Sequence, residues 1–229
     1  MRKAKGRFLF RLMAWASLLS CGCASFEPAT RHQEMLGPRH PTVSETRDGL
    51  QISLEEFISS EKSRRMFDAD LASQGVLAIL LKAENKSHSA IKIEDKETRA
   101  FLENLPLLFL PSVDAANQAA TRDYTTRAAG WTLATGPLAL IFWPVTVSLS
   151  GMHTGGVNRQ IEQHFQSLSF GKAIVQPGQS AVGFLYFKLA ENFKGNETIV
   201  VEVLTFEIDS GRQIIFKLPI SKAISRAEN

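Results

Sequence analysis

The chain has little cysteine, since only Cys21 and Cys23 occur in its 229 residues. Because both lie near the N-terminus, the rest of the chain has no internal disulfide and must draw its stability from a packed core. No pair among the five histidines has the spacing of a zinc-binding helix. The serine-hydrolase elbow Gly-x-Ser-x-Gly and the phosphate-binding glycine loop are also missing. We therefore expect no metal, no cofactor and no catalytic residue.

A general excess of basic charge is also missing. The whole sequence has 26 Lys and Arg against 23 Asp and Glu. Five of the basic residues and none of the acidic ones fall within positions 1–20, which leaves 21 basic against 23 acidic side chains in residues 21–229. The part of the chain that folds therefore gives no reason to expect a nucleic acid as partner.

The N-terminus has the layout of a secretory signal peptide. Basic side chains at the start precede a mostly apolar stretch from Phe8 to Leu19. That stretch is too short to cross a bilayer, which takes roughly 20 apolar residues in a helix. The sequence Leu18-Leu19-Ser20-Cys21 then resembles the lipobox of bacterial lipoproteins, with an apolar residue three positions before the cysteine and a small residue directly before it. We expect residues 1–20 to be a signal peptide.

The resemblance implies a lipid anchor at Cys21. In this family the cysteine sulfur takes a diacylglyceryl group, and cleavage before the cysteine frees its amino group for a further acyl chain such as palmitate. Two or more acyl chains anchor a protein stably. Gly22 rather than Asp follows the cysteine, which by the same resemblance favours the outer membrane, facing the periplasm. Two alternatives stay open: lipidation at Cys23, for which Ser20 fits the apolar position poorly, and an ordinary secretory signal.

Composition divides the remainder of the chain into five parts. Residues 21–42 are rich in proline and polar side chains, which predicts a flexible tether behind the lipidated cysteine. Residues 43–111 and 171–220 alternate apolar and polar side chains, a pattern typical of strands. Residues 112–170 are predicted to form a helical, strongly apolar insertion between these two halves. Residues 221–229 are a polar tail.

The two β halves contain about seven predicted strands with turns at short spacing. Val76 to Ala83 is an almost continuous apolar run, the mark of a central strand buried on both faces. Asn85 to Ser89 indicates a turn, and Ile91 and Ile93 open the next strand, so this part of the chain is predicted to form a hairpin. The pattern favours a mainly β fold, specifically an immunoglobulin-like β-sandwich that the helical insertion interrupts.

The insertion is the least polar part of the chain. Ser112 is a candidate helix cap, and the Ala-rich run after it favours a helix. From Ala128 to Val157 there is no Asp, Glu, Lys or Arg. Asn158 to Leu168 then shows the apolar period of an amphipathic helix. Candidate contact residues for a membrane or a partner are large apolar side chains within the charge-free stretch: Trp131, Leu138, Ile141, Phe142 and Trp143.

Three arrangements of residues 128–156 remain open. A single transmembrane span satisfies the hydropathy test, but it would place the two β halves on opposite sides of the membrane, where they share no core. A helical hairpin packed on the sandwich is favoured by Gly136, Pro137 and Pro144, which break a soluble helix into short pieces. A re-entrant or partner-binding apolar surface is the third arrangement.

These features predict a lipid-anchored cell-envelope protein that acts as a non-enzymatic structural or interaction module. Its expected partners are the membrane, through acyl chains on Cys21, and an envelope protein. The alternative is a membrane-inserting or oligomeric assembly component that uses residues 128–156. The acidic pair Glu55-Glu56 is interpreted as a solvated face. An unrecognised hydrolase would need His153 to share a pocket with a carboxylate.

Overall fold

The computed structural model describes residues 43–120, 159–190, 193, 195 and 197–220. These residues form eleven strands in two antiparallel sheets, so the prediction of a mainly β chain is confirmed. In chain order the strands are β1 (Val43–Arg47), β2 (Leu50–Glu56), β3 (Val76–Asn85), β4 (Ile91–Glu94), β5 (Arg99–Leu102), β6 (Leu105–Pro106), β7 (Leu108–Phe109), β8 (Lys172–Val175), β9 (Ser180–Lys188), β10 (Ile199–Glu207) and β11 (Gln213–Ile220). The described helical segments are α1 (Ser60–Phe67), α2 (residues 112–120) and α3 (residues 159–168).

Sheet 1 contains β1, β2, β3, β9 and β7 in that order. Strand β3 lies at its centre and pairs along its length with β2 on one edge and β9 on the other. Every residue from Val76 to Leu81 is buried, because one face of the strand meets sheet 2 and the other face meets the helices. The prediction of a central strand buried on both faces is therefore confirmed.

Sheet 2 is built around β10, which pairs with β11 along one edge. The other edge of β10 is shared by β4 and β5, which are separated by a 3-10 turn at Asp95–Glu97. Strand β8 continues the sheet beyond β4, and the short β6 continues it beyond β5. The inward faces of the two sheets form the main core, in which each large apolar side chain contributes about 1.5 to 3 kcal/mol by leaving water. Its fully buried members include Ile52, Ile79, Phe187, Val201 and Phe216.

The predicted hairpin between residues 76 and 93 is wrong. Strand β3 pairs with β2 and β9 in sheet 1, whereas β4 pairs with β10 and β8 in sheet 2. The turn between them carries the chain from one sheet to the other. The buried Asn85 side chain holds this crossover, since its Nδ2 donates to the carbonyl oxygens of Ser89 and Val175, both at 2.8 Å. A turn signal marks a change of direction but does not say which strand comes to lie alongside.

More strands are present among the described residues than the pattern predicted, eleven against about seven. The surplus is in short pieces. One strand position beside β10 is divided between β4 and β5 by the 3-10 turn, and β6 and β7 have two residues each. A period of two cannot be detected in so short a segment, so tertiary pairing alone defines these strands.

The three helices lie over the outer face of sheet 1. There they bury a second apolar cluster that includes Phe67 from α1, Ala115 from α2, Phe165 from α3 and Phe184 and Tyr186 from β9. The rings of Phe67 and Phe184 are 4.9 Å apart in an edge-on contact, and those of Phe67 and Phe165 are 5.0 Å apart. Sheet 1 is thus covered on both faces around β3 and β9.

The predicted helices next to the charge-free stretch are confirmed over their described residues. The Ala-rich run is helical in α2, and the amphipathic segment is helical in α3, where Phe165 and Leu168 are fully buried. The capping role predicted for Ser112 is wrong. The amide of Ala115 donates to the carbonyl of Pro111 at 3.0 Å, so Pro111 occupies the capping position and Ser112 is the first helical residue.

Candidate interaction surface

The site residues proposed from the sequence all lie outside the described residues. This holds for the lipidation site Cys21 and for the apolar contact candidates Trp131, Leu138, Ile141, Phe142 and Trp143. It also holds for His153, on which the hydrolase alternative depends. The described residues present the surfaces of the two sheets and of the helices.

The titratable groups near the helices serve packing. The His164 ring nitrogen Nε2 lies 2.8 Å from the carbonyl oxygen of Met66, so this histidine ties α3 to α1. Glu55 was interpreted as solvated, which is wrong, since it is 5% exposed and its carboxylate lies 2.8 Å from the Lys62 ammonium. The Tyr186 hydroxyl donates to the carbonyl of Phe165 at 3.4 Å, and burial raises the pKa of this phenol well above its usual range.

No metal centre is found within the ranges that the structure describes. There, no group of three or more His, Cys, Asp or Glu side chains is arranged to hold a metal ion. Within the same ranges, no helix has both the length and the apolar character needed to span a membrane.

The outer face of sheet 1 shows how this fold treats its two kinds of surface. Its apolar half, around Phe184 and Tyr186, lies beneath the helices. Its other half is polar: the hydroxyls of Ser44 and Ser53 are 2.9 Å apart, and the Lys82 ammonium lies 2.7 Å from the Glu84 carboxylate. Water can solvate that half without cost. Most apolar side chains of this face are covered and polar ones are left open, although Leu108 on the edge strand β7 is 64% exposed.

The outer face of sheet 2 does not follow this rule. Register places one set of side chains from β4, β5, β8, β10 and β11 on this face, opposite those that enter the core. No described helix packs on it. Ile174 is 51% exposed and Ile215 is 45% exposed. We call this face the sheet 2 surface, and its apolar members are Phe101, Ile174, Val200, Leu204, Phe206 and Ile215.

Charged side chains lie among these apolar ones in two groups, each centred on one glutamate. The Glu94 carboxylate lies 2.7 Å from the Lys92 ammonium and 3.5 Å from the Lys172 ammonium. The Glu202 carboxylate lies 2.6 Å from the Lys217 ammonium, and register places Arg99 directly across from Glu202 on β5. The charged members of the sheet 2 surface are thus Lys92, Glu94, Arg99, Lys172, Glu202 and Lys217.

Electrostatics within the first group follow from these distances. The hydrogen bond from Lys92 is the main cause that lowers the pKa of Glu94, and the same bond raises the pKa of Lys92. Glu97, in the turn between β4 and β5, adds a further negative charge near Lys92. The positive charge of Lys92 is therefore largely balanced by the negative charges of Glu94 and Glu97. Lys172 and Lys217 are more open than Lys92, with side chains 63% and 66% exposed against 34%.

The sequence pattern alone does not predict the sheet 2 surface. The strand period does place Ile215 on the face opposite the core residues Ile214 and Phe216, and Leu204 on the face opposite Val203. Periodicity separates two faces of one strand but does not show which strands are neighbours. Only the pairing of β10 with β4, β5 and β11 joins these side chains into one surface.

Comparison with known proteins leaves the chain without a family assignment. No protein-family model matches it, and no curated protein shows significant similarity to it.

Proposed function

We propose that this chain is a lipid-anchored cell-envelope protein, attached through acyl chains on Cys21 and facing the periplasm from the outer membrane. The observation that carries the proposal is the sequence Leu18-Leu19-Ser20-Cys21 behind a basic and then apolar N-terminus. A cysteine is required at the last position because its sulfur accepts the diacylglyceryl group. The tether of residues 22–42 would then separate the folded part from the bilayer.

The folded part acts, in this proposal, as a non-enzymatic structural or interaction module. Two antiparallel sheets packed face to face support it, and within that architecture we propose an immunoglobulin-like sandwich with a helical, apolar insertion between its halves. The sheet 2 surface supports the interaction role. Apolar patches bounded by polar residues, left open on a sheet face, are typical of binding surfaces.

The anchor is tested by labelling cells with radioactive palmitate and comparing the wild-type protein with the Cys21→Ala variant. We expect label and membrane fractionation in the wild type and loss of both in the variant. Cys23→Ala is the matched control and should keep its label. Equal labelling of wild type and Cys21→Ala would overturn the assignment, and loss of label in Cys23→Ala alone would move the anchor to that position.

A second candidate function rests on the charge-free stretch Ala128 to Val157. A membrane-inserting or oligomeric assembly component would use residues 128–156, with Trp131 and Trp143 among the contact residues. Deleting residues 128–156 tests it. Dependence on detergent, or oligomers, that disappear in the deletion variant would support insertion or assembly. A deletion variant with the same oligomeric state and extraction behaviour as the wild type would exclude this candidate.

A further inference from the structure

We propose that the sheet 2 surface is a docking surface for an anionic lipid bilayer, against which it lays the folded part flat. The inference rests on the proposed function, because the lipid anchor is what brings this face close to a membrane. It goes beyond the anchor in naming a second, reversible contact, the face that makes it and the charge of the lipid that it needs.

The sheet 2 surface has an open apolar area. On sheet 1 the helices cover the outward apolar side chains around Phe184 and Tyr186, and Leu108 on the edge strand β7 is the exception at 64% exposed. On sheet 2, Ile174 is 51% exposed and Ile215 is 45% exposed, with Leu204 and Phe206 between them on the same face. Side chains of this kind gain free energy when they enter the headgroup region of a bilayer.

The charge of this face is also complementary to that of an anionic bilayer. The strands of the sheet 2 surface present four cations and two carboxylates, and the side chains of Lys172 and Lys217 are 63% and 66% exposed. The described residues as a whole have the opposite balance, with 18 Asp and Glu against 14 Lys and Arg. An anionic membrane would attract this face and repel the remainder, which orients the molecule.

A second copy of the chain fits this face less well. An isologous dimer would bring the same patch against itself, so the excess cations of one copy would face those of the other. An anionic bilayer has no such repulsion. The tether also permits the arrangement, because residues 22–42, fully extended, span up to about 70 Å. Only a weak contact is needed, since the anchor holds the face at a high local concentration.

The test measures whether this face approaches the lipid. The mature protein, purified from the envelope in a Cys23→Ser background, is reconstituted into vesicles of phosphatidylcholine with or without phosphatidylglycerol. A fluorophore is attached at Ile174→Cys on the sheet 2 surface. The control position is Ser44→Cys, on the polar half of the outer face of sheet 1. Headgroup-spin-labelled lipid serves as the quencher.

We expect strong quenching at position 174 and weak quenching at position 44, and only when phosphatidylglycerol is present. Raising the salt from about 0.1 M to about 1 M shortens the Debye length from about 10 Å to about 3 Å and should remove the quenching. Lys172→Gln/Lys217→Gln should lower the affinity of this face for the anionic bilayer at least about tenfold, since each lysine near a membrane surface raises that affinity about fivefold. The matched variant Lys86→Gln/Lys188→Gln, which lies off this face, should leave it unchanged.

Failure of the surface and failure of the anchor give different results. Protein that floats with neutral and anionic vesicles alike, but is quenched equally at both positions, overturns the docking proposal and keeps the anchor. Protein that does not float with neutral vesicles, yet is quenched at position 174 on anionic ones, contradicts the anchor and keeps the docking. A concentration-dependent dimer that Lys172→Gln/Lys217→Gln alters would assign this face to a second copy instead and overturn the proposal.

Discussion

At the scale of single residues, Asn85 joins its own turn, residues 85–89, to Val175, which is 90 residues away along the chain. It is 1% exposed and uses both ends of its amide. The Nδ2 group donates to the carbonyls of Ser89 and Val175, and Oδ1 accepts from the amide and the hydroxyl of Ser87 at 2.9 and 2.6 Å. This side chain therefore holds the crossover from sheet 1 to sheet 2 together with backbone bonds such as that from the Lys86 amide to the Gly49 carbonyl.

We predict that Asn85→Ala lowers the free energy of unfolding by about 3 kcal/mol, because the carbonyl of Val175 loses its donor in a buried place. Asn85→Asp should be similarly harmful, since a carboxylate would face the two carbonyls. Gln176→Ala, an exposed amide in the neighbouring turn, is the control and should change stability by less than about 0.5 kcal/mol. Urea denaturation measures all three. An Asn85→Asp protein as stable as the wild type would show that the donor bonds contribute little.

At the scale of elements, α1 contacts sheet 1 through the aromatic side chain of Phe67, beside the ion pair of Lys62 with Glu55. Phe67 is 1% exposed and its ring contacts those of Phe57, Phe165, Phe184 and Tyr186 with centroid distances of 4.9 to 6.2 Å. This one residue therefore connects two helices to the central strands. A short helix of eight residues has little stability of its own and needs such packing.

Phe67→Ala should therefore cost about 3 to 5 kcal/mol, the loss typical of a buried phenylalanine that leaves a cavity. The comparison is Phe206→Ala on the sheet 2 surface, which removes the same side chain from a half-buried place and should cost at most about 2 kcal/mol. Equal losses in the two variants, measured by chemical denaturation, would contradict the view that the helix layer is a second core.

Strand β9 also makes a close backbone contact with the segment that follows α3, at Gly183 and Phe170. A Cβ atom at Gly183 would lie 2.4 Å from Cα of Phe170 and 2.6 Å from its amide nitrogen. The Phe170 amide donates to the Phe184 carbonyl at 3.0 Å, so the two backbones are fixed at this distance. Glycine is needed here for space, since even one methyl group meets backbone.

Gly183→Ala is predicted to destabilise the fold by about 1 to 3 kcal/mol through this overlap. Ser180→Ala, at the exposed start of the same strand, should be neutral within about 0.5 kcal/mol. Thermal unfolding followed by circular dichroism compares the two. A Gly183→Ala protein that melts at the wild-type temperature would mean that the segment around Phe170 moves away readily.

At the scale of the whole molecule, hydrogen-bonded carboxylates contribute to the dependence of stability on acid. Hydrogen bonds from Lys82, Lys92 and the Ser210 hydroxyl are the main causes that lower the pKa values of Glu84, Glu94 and Glu207. A lowered pKa in the folded state stabilises the fold above the unfolded value of about 4.3. That stability is lost as the pH falls through the folded pKa values.

Glu94→Gln should reduce this acid sensitivity. It should also weaken the fall in stability at high pH, because Glu94 raises the pKa of Lys92. The contribution of Lys92 is present below its unfolded pKa of about 10.4 and is lost as the pH rises through the folded value. Melting temperatures measured across both pH ranges test this, with Glu103→Gln, an exposed glutamate in the turn after β5, as control. Identical pH profiles for the two variants would contradict the role of the Lys92–Glu94 pair.

The sequence by itself determined which side chains of the longer strands enter the core. Alternation of apolar and polar residues depends only on the period of the chain, so β10 and β11 were predictable, as was the doubly buried β3. The helices α2 and α3 followed from alanine content and apolar spacing for the same local reason. The resemblance to a lipobox is likewise a property of four consecutive positions.

Tertiary structure alone decided which strands pair and which face stays open. Three features depend on contacts between residues that are distant in the chain. They are the crossover at Asn85, the division of one strand position between β4 and β5, and the sheet 2 surface. Ile174 and Ile215 belong to one surface only because β8, β4, β10 and β11 lie side by side. Such pairings are chosen by the packing of the whole core, and no local period encodes them.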